Sequence, residues 1–152
     1  MKGFRPLTMT AALAVASGGA LAPVLASATP AAAQPSCAGT GLVTAIPLNP
    51  NIPGPVFVRV PTLRNGSINQ NCILGVGNAG VAVSRLQIAL DQCNGFALSV
   101  DGIYGPQTRS AVSTVQRRNH LSVDGIYGPD TASVMHWPQA GSGGRVCAIS
   151  PA

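Results

Sequence analysis

The chain has 152 residues, of which 46% are hydrophobic and only 9% are charged, and this length allows one small domain beside a processed leader. The formal net charge is +5 for the whole chain. After residue 33, seven arginines against four aspartates leave +3. This mild bias suits an anionic surface, and no cluster of basic residues interleaved with aromatics indicates nucleic acid binding.

Residues 1–33 have the layout of a secretory signal peptide. Lys2 and Arg5 precede an apolar run over about residues 7–25, and small residues at 31–33 offer a cleavage site. A membrane anchor is the competing interpretation, but glycines and a proline interrupt the run and no stop-transfer pattern follows. We expect a mature chain that starts near Gln34 and is secreted, either extracellular or associated with the cell wall.

All four cysteines follow the leader. An even number in an exported chain indicates two disulfides, each contributing roughly 2–4 kcal/mol of stability. Their wide spacing does not fit a zinc site, so we expect neither a metal nor a cofactor. Four cysteines allow three pairings. We favour Cys37–Cys72 with Cys93–Cys147, while Cys72–Cys147 with Cys37–Cys93 stays open.

Residues 34–71 are rich in proline, asparagine and glycine. The segment holds six prolines, and each fixes φ and removes an N–H donor, so no helix is expected. Residues 56–60 could form one short extended stretch, and Asn65-Gly66 indicates a turn. We predict an extended arm over 34–71, a folded domain over 72–138 and a glycine-rich tail over 139–152.

An internal repeat is the strongest feature of the sequence. Leu98–Thr108, the first loop, recurs as Leu121–Thr131, the second loop, with ten of eleven positions identical. In each copy Asp-Gly is a turn dipeptide, and the Gly-Pro pair after it suits the start of a helix. A shorter echo precedes each loop: residues 83–87 (Val-Ser-Arg-Leu-Gln) and 112–116 (Val-Ser-Thr-Val-Gln).

The helices expected from this pattern span about residues 81–92, 106–118 and 129–136. The first is indicated by apolar residues at i, i+3 and i+7, and the other two by their Gly-Pro starts. The expected fold class is therefore mainly α. We predict a small three-helix module with a duplicated helix-loop unit, preceded by the proline-rich arm and held by disulfides.

Residues 72–137 resemble the peptidoglycan-binding domain 1 family. The motifs that carry the resemblance are Leu86-Gln87, Asp101–Thr108, Ala111–Gln116 and Asp124–Thr131. The arrangement of arm, cysteines and module is also similar to small exported actinobacterial proteins that carry this module alone. The resemblance implies a small three-helix fold whose partner is peptidoglycan or a related cell-wall glycan.

The two loops and the end of the second helix are the candidate ligand-binding surface that the resemblance implies. The candidate residues are Asp101, Gly102, Ile103, Tyr104, Gln116, Arg117, Arg118, Asn119, Asp124, Gly125, Ile126 and Tyr127. The arginine fork suits carboxylates of the stem peptide. The tyrosines are interpreted as core residues in preference to sugar-stacking ones, which leaves the isoleucines pointing outward.

Catalysis is not expected. Each loop aspartate is explained by its own turn, so Asp101 and Asp124 are not interpreted as a glycosidase pair. Neither His120 nor His136 has a nucleophile motif beside it. We predict a monomeric, secreted, non-catalytic peptidoglycan-binding protein that contacts no nucleic acid and, once the leader is removed, no membrane. A secreted protein-interaction or inhibitor module, with an exported protein as partner, is the alternative; a small murein hydrolase is less favoured.

Overall fold

A computed structural model describes residues 33–143 and 146–150 of the chain. The predicted signal peptide, apart from its last residue, lies outside the described residues. The elements are β1 (Gly39–Pro47), β2 (Val56–Thr62), α1 (Val81–Cys93), α2 (Pro106–Arg118), α3 (Pro129–Val134), β3 (His136–Pro138) and β4 (Cys147–Ile149). Among the helices of this described part, none is both long and apolar enough to cross a membrane.

The helices begin at the predicted residues. Gly105 and Gly128 cap α2 and α3 in extended conformations, and the proline after each cap starts the helix, where its missing N–H removes no intrahelical hydrogen bond. The third helix ends at Val134, two residues before the predicted end, because Met135 is already extended and leads into β3.

The prediction of a mainly α, three-helix module is wrong. Four strands form an antiparallel sheet in the order β2-β1-β4-β3. Val58 of β2 also bridges Gln139, just after β3, so the sheet curls on itself. Helix α1 packs more closely on β2 and β3 than on α2. Its Arg85 donates hydrogen bonds to the backbone carbonyls of Arg59 and Pro138. The helices therefore share one core with the sheet.

The prediction of an extended arm over residues 34–71 is also wrong. Strand β1 pairs with β2 from Gly39 opposite Thr62 to Ala45 opposite Val56. Ala45 and Val58 are buried in the core that holds the helices. Three of the six prolines lie in the connection between the two strands, over residues 48–55. They limit the length of the hairpin but do not prevent it.

Two glycines in β1 permit this packing. A Cβ at Gly39 would overlap the backbone of residues 64–65, and a Cβ at Gly41 would overlap the backbone of Ser67. The chain after β2 thus crosses directly over β1. Glycine within a strand commonly indicates such a close backbone approach.

The favoured disulfide pairing is confirmed. Cys37 is bonded to Cys72, and Cys93 is bonded to Cys147. The first bridge holds the N-terminal segment beside the chain that enters the helical region. The second joins the end of α1 to β4, so one disulfide ties a strand of the sheet directly to a helix of the repeat-bearing part. Trp137, fully buried in β3, packs in the same core.

Candidate functional site

The first loop is fastened by a glutamine of α1. The Gln87 side chain is buried, and its Oε1 accepts a hydrogen bond of 2.8 Å from the Gly102 N–H. Its Nε2 lies 2.7 Å from Asp101 Oδ1, 3.0 Å from the Ile103 carbonyl and 3.2 Å from Thr108 Oγ1. One side-chain amide therefore forms hydrogen bonds with the turn, with the aspartate carboxylate and with the start of α2.

The second loop repeats this arrangement around Gln116 of α2. Its Oε1 accepts from the Gly125 N–H at 2.9 Å. Its Nε2 lies 2.7 Å from Asp124 Oδ1, 3.0 Å from the Ile126 carbonyl and 3.2 Å from Thr131 Oγ1. Gln116 was predicted as a ligand contact, but its side chain is buried and holds the loop. Gln87 was noted as part of a motif but not as a candidate site residue, although the two echoes that end in glutamine were the signal.

Each loop aspartate closes its own turn, as predicted. Asp101 Oδ1 accepts the Ile103 N–H at 2.9 Å, and Asp124 Oδ1 accepts the Ile126 N–H at 2.8 Å. The hydrogen bond from the Ile103 N–H, followed by that from Gln87, lowers the pKa of the Asp101 carboxyl below its ordinary 3.8. A carboxylate held in its charged form by donors is a poor general acid.

The two tyrosines are core residues, each only 1% exposed. The Tyr104 hydroxyl donates to the Gly125 carbonyl at 3.0 Å and so links the first loop to the second. The Tyr127 ring packs edge-on against Trp137, with 6.1 Å between ring centroids. Within the described part of the chain its hydroxyl has no hydrogen-bond partner. Burial raises the pKa of both hydroxyls.

The isoleucines point outward as predicted. Ile103 is 57% and Ile126 is 40% exposed. Gly102 and Gly125 have φ of 73° and 70°, the left-handed conformation that glycine adopts without strain. Each loop therefore presents its isoleucine to solvent while the flanking glycine and tyrosine are buried.

The end of α2 forms a separate exposed surface. The Arg118 guanidinium lies 5.1 Å from the centroid of the Phe96 ring, and its Nη1 is 3.4 Å from the Asn94 carbonyl. Asn119 Nδ2 donates to the carbonyl of Val115 at 2.9 Å and caps the helix. Arg117 is exposed beside them. Two of these three candidate side chains thus have structural contacts of their own.

A groove of about 540 Å³ opens beside the second loop. Its lining residues are Gln34, Asn71, Ile73, Gln116, Leu121, Ser122, Asp124, Ile126, Gly128, Pro129, Asp130 and Thr131. One wall comes from the second loop and the start of α3, and the other from the segment around the Cys37–Cys72 disulfide. Its carboxylates, hydroxyls and amides alternate with apolar side chains, and no arginine belongs to this lining. Such a surface can bind hydroxyl and N–H donors beside an apolar sugar face.

The structure thus separates the predicted site residues into three groups. The first group is at the second loop, where Asp124, Ile126 and Gln116 line the groove and Gly125 and Tyr127 are buried. The second group, Arg117, Arg118 and Asn119, lies at the helix end. The residues of the first loop, Asp101 to Tyr104, do not line this groove. The residues that complete the groove from the N-terminal side were missed, because no local motif signals them.

Two solved structures are similar to part of the chain. One is the N-terminal domain of SleB, with 37% sequence identity, a TM-score of 0.38, and a match over 40% of this chain and 84% of that one. The other is a peptidoglycan-binding protein from Clostridioides difficile in complex with glutamine hydroxamate, with 26% identity and a TM-score of 0.40. That match covers 55% of this chain and 61%, less than two thirds, of the other. No curated protein sequence matches the chain significantly.

Residues 79–135 match the family described as "Putative peptidoglycan binding domain". The matched range contains α1, both loops, α2 and α3, and so both glutamine-fastened turns. The wall of the groove formed by Gln34, Asn71 and Ile73 lies outside it. Through residues 79–135, the chain belongs to the peptidoglycan-binding domain family.

Proposed function

We propose that the chain is a secreted, non-catalytic protein that binds peptidoglycan. The observation that carries the proposal is the family match over residues 79–135, which contains the whole duplicated loop unit. Two disulfides are consistent with an extracellular or cell-wall location. The protein would thus bind the cell wall without catalysing a reaction on it.

The groove beside the second loop is the proposed contact surface. Asp124 and Ser122 would accept hydrogen bonds from sugar hydroxyls and N–H groups, and Ile126 would lie against an apolar sugar face. The buried candidate residues, such as Tyr127 and Gln116, would act by fixing the shape of the loop. A shallow groove of this size supports modest affinity per site, and a repetitive polymer compensates by offering many sites.

The absence of catalysis is supported by how the loop carboxylates are used. Asp101 and Asp124 each accept hydrogen bonds from a glutamine amide and a backbone N–H. Both carboxylates are thus engaged as hydrogen-bond acceptors within their own turns, whereas glycoside hydrolysis needs a carboxylic acid that protonates the leaving group. A turbidity assay on purified cell walls tests this directly, and lysis by the purified protein would contradict it.

Cosedimentation with purified sacculi tests the proposed binding, with chitin and cellulose as control polymers. We expect the wild type to pellet with sacculi. Ile126→Ser should weaken binding about three- to tenfold, because it removes an apolar contact in the groove. Joint replacement of Arg117 and Arg118 with alanine should weaken it less, since neither side chain lines the groove. If no protein pelleted with sacculi, the proposed function would be wrong.

A second candidate function, binding to another exported protein, is favoured by the outer face of the sheet. Ile46 lies opposite Ile149, and the neighbouring Phe57 is 60% exposed. Exposed apolar residues clustered on one face are typical of protein interaction sites. A pull-down in which Phe57→Ser abolished capture of a partner, while sacculus binding was unchanged, would support this function.

A further inference from the structure

A second compartment adjoins the groove beside the second loop. This compartment has a volume of about 450 Å³ and is lined by Ile68, Asn69, Gln70, Asn71, Pro129 and Ala132. Asn71 and Pro129 line both compartments. We name them the polar compartment, which contains Asp124, and the apolar compartment, which contains Ile68. A ligand that extends past the shared pair of residues would therefore contact both.

The wall shared by the compartments is fixed by backbone contacts beside a disulfide. The Cys37 N–H donates to the Ile73 carbonyl and the Ile73 N–H donates to the Pro35 carbonyl, both at 2.9 Å. Gln34 Nε2 donates to Asn71 Oδ1 at 3.1 Å. The Cys37–Cys72 bond closes this small parallel contact. The wall is thus preorganised, which lowers the entropic cost of ligand binding.

The same wall is joined to the second loop. Leu74 and Tyr127 exchange two backbone hydrogen bonds, each of 2.9 Å. Since Leu74 comes directly after the wall and Tyr127 lies inside the loop, the two sides of the groove hold a fixed separation. The residues that build the wall precede residue 79, where the family match begins. The composite groove therefore depends on this chain's own N-terminal segment.

The two compartments differ in chemistry. The polar compartment presents two carboxylates, Asp124 and Asp130, with Ser122 beside them. The apolar compartment presents the Ile68 side chain, which is 75% exposed, against Ala132. Gln70 Oε1, at the same compartment, is a buried acceptor without a hydrogen-bond partner among the described residues. A peptide supplies both an N–H donor and small apolar side chains, whereas a bare sugar chain lacks the apolar side chains.

We propose that the composite groove binds a sugar together with the peptide attached to it, the sugar in the polar compartment and small apolar side chains of the peptide in the apolar one. This inference rests on the proposed peptidoglycan-binding function and specifies its ligand. The preferred ligand is a peptide-bearing glycan unit rather than bare glycan, and Ile68 contributes to that preference.

Calorimetric titration with two soluble ligands tests the inference: a murein disaccharide that carries its stem peptide, and the same disaccharide with the peptide removed. The wild type should bind the peptide-bearing ligand about tenfold more tightly. Ile68→Ser should weaken binding of that ligand about three- to tenfold and leave binding of the peptide-free sugar unchanged. Val76→Ser is the matched control, because Val76 is 64% exposed and lines neither compartment.

The outcomes separate this inference from the proposed function. Equal affinity of the wild type for both ligands, or an Ile68→Ser variant that bound them as the wild type does, would overturn the composite groove while leaving peptidoglycan binding intact. Failure of the wild type to bind either ligand or whole sacculi would instead contradict the proposed function. Circular dichroism of the variants checks that each is folded, which the exposure of both substituted side chains favours.

Discussion

Gln87 and Gln116 lie at equivalent positions of the duplicated unit, and each connects its helix to the loop that follows. A side-chain amide can donate and accept at once, so it pairs with both the N–H of a glycine and the carboxylate of an aspartate. An unpaired group at such a buried position would cost about 1–3 kcal/mol. The glutamines therefore explain why both loops take the same shape.

The tyrosines occupy equivalent positions but have unequal partners. The Tyr104 hydroxyl reaches the Gly125 carbonyl of the next repeat, whereas Tyr127 has no following repeat to contact. Tyr104→Phe should lower the free energy of unfolding by about 1–2 kcal/mol, because it leaves that carbonyl without its donor. Tyr127→Phe should leave the free energy of unfolding unchanged or raise it by up to about 1 kcal/mol, because the substitution removes a buried hydroxyl that has no partner among the described residues.

Urea unfolding followed by Trp137 fluorescence, with both disulfides intact, measures these two changes. Each variant is the control for the other, because both remove the same atom from the same residue type. Equal losses of stability in the two variants would contradict the proposed asymmetry between the repeats.

The Asp101 carboxyl gives the stability a defined dependence on pH. Its pKa is below 3.8 in the folded protein because the Ile103 N–H and the Gln87 amide donate to the charged form. A depressed pKa adds stability above the unfolded-state value, and this stability is lost as the pH falls through the folded-state value. The free energy of unfolding should thus decrease below about pH 4. Asp101→Asn should reduce that slope, and an unchanged slope would show that another group dominates.

At the scale of elements, the helices were predictable and most strands were not. The helices depend on local signals: apolar spacing in α1 and Gly-Pro starts in α2 and α3. Strand β1 has apolar residues on both faces, with Leu42 and Ile46 exposed and Ala45 buried, so it lacks the usual alternation. Its glycines were counted toward the predicted extended arm, whereas they are required by the chain that crosses over the strand.

Of the remaining strands, β2 was indicated by its own sequence, whereas β3 and β4 were not. Residues 56–60 were predicted to be extended, and β2 spans Val56–Thr62. Strands β3 and β4 have three residues each, too few to give a periodic pattern. They exist because Trp137 pairs with Ala148 and β4 pairs in turn with β1. Such pairings connect distant parts of the chain and leave no signature in either segment alone.

The C-terminal end of α2 carries a residue in a strained conformation. His120 has φ of 57°, and the Leu121 N–H donates to the Gln116 carbonyl at 2.9 Å. This is the Schellman arrangement, in which glycine is preferred at the left-handed position. His120→Gly should raise the free energy of unfolding by about 0.5–1 kcal/mol, after allowance for the greater freedom of glycine in the unfolded chain.

His120→Ala is the control for this prediction, since alanine keeps the Cβ that causes the strain. It should give no gain in stability under the same unfolding conditions. A stabilisation of similar size in both variants would indicate that the imidazole, not the backbone, was unfavourable.

At the scale of the whole molecule, the segments on either side of the β1–β2 hairpin complete the groove that the second loop begins. Sequence reasoning located both loops, but the groove needs the wall formed by residues 34–37 and 71–74. The Leu74–Tyr127 pairing joins the wall to the second loop, and the Cys37–Cys72 bond closes the wall itself. These contacts depend on parts of the fold outside the repeat. The loop side of the site was therefore predictable from motifs, and its opposite side was not.

The groove beside the second loop is the proposed binding site for peptidoglycan. Titration of isotope-labelled protein with soluble murein fragments, followed by amide chemical shifts, tests it most directly. We expect the largest shifts within residues 121–131 and at Asn71 and Ile73. Shifts confined to the end of α2 around Arg117 and Arg118, or no shifts at all, would contradict it.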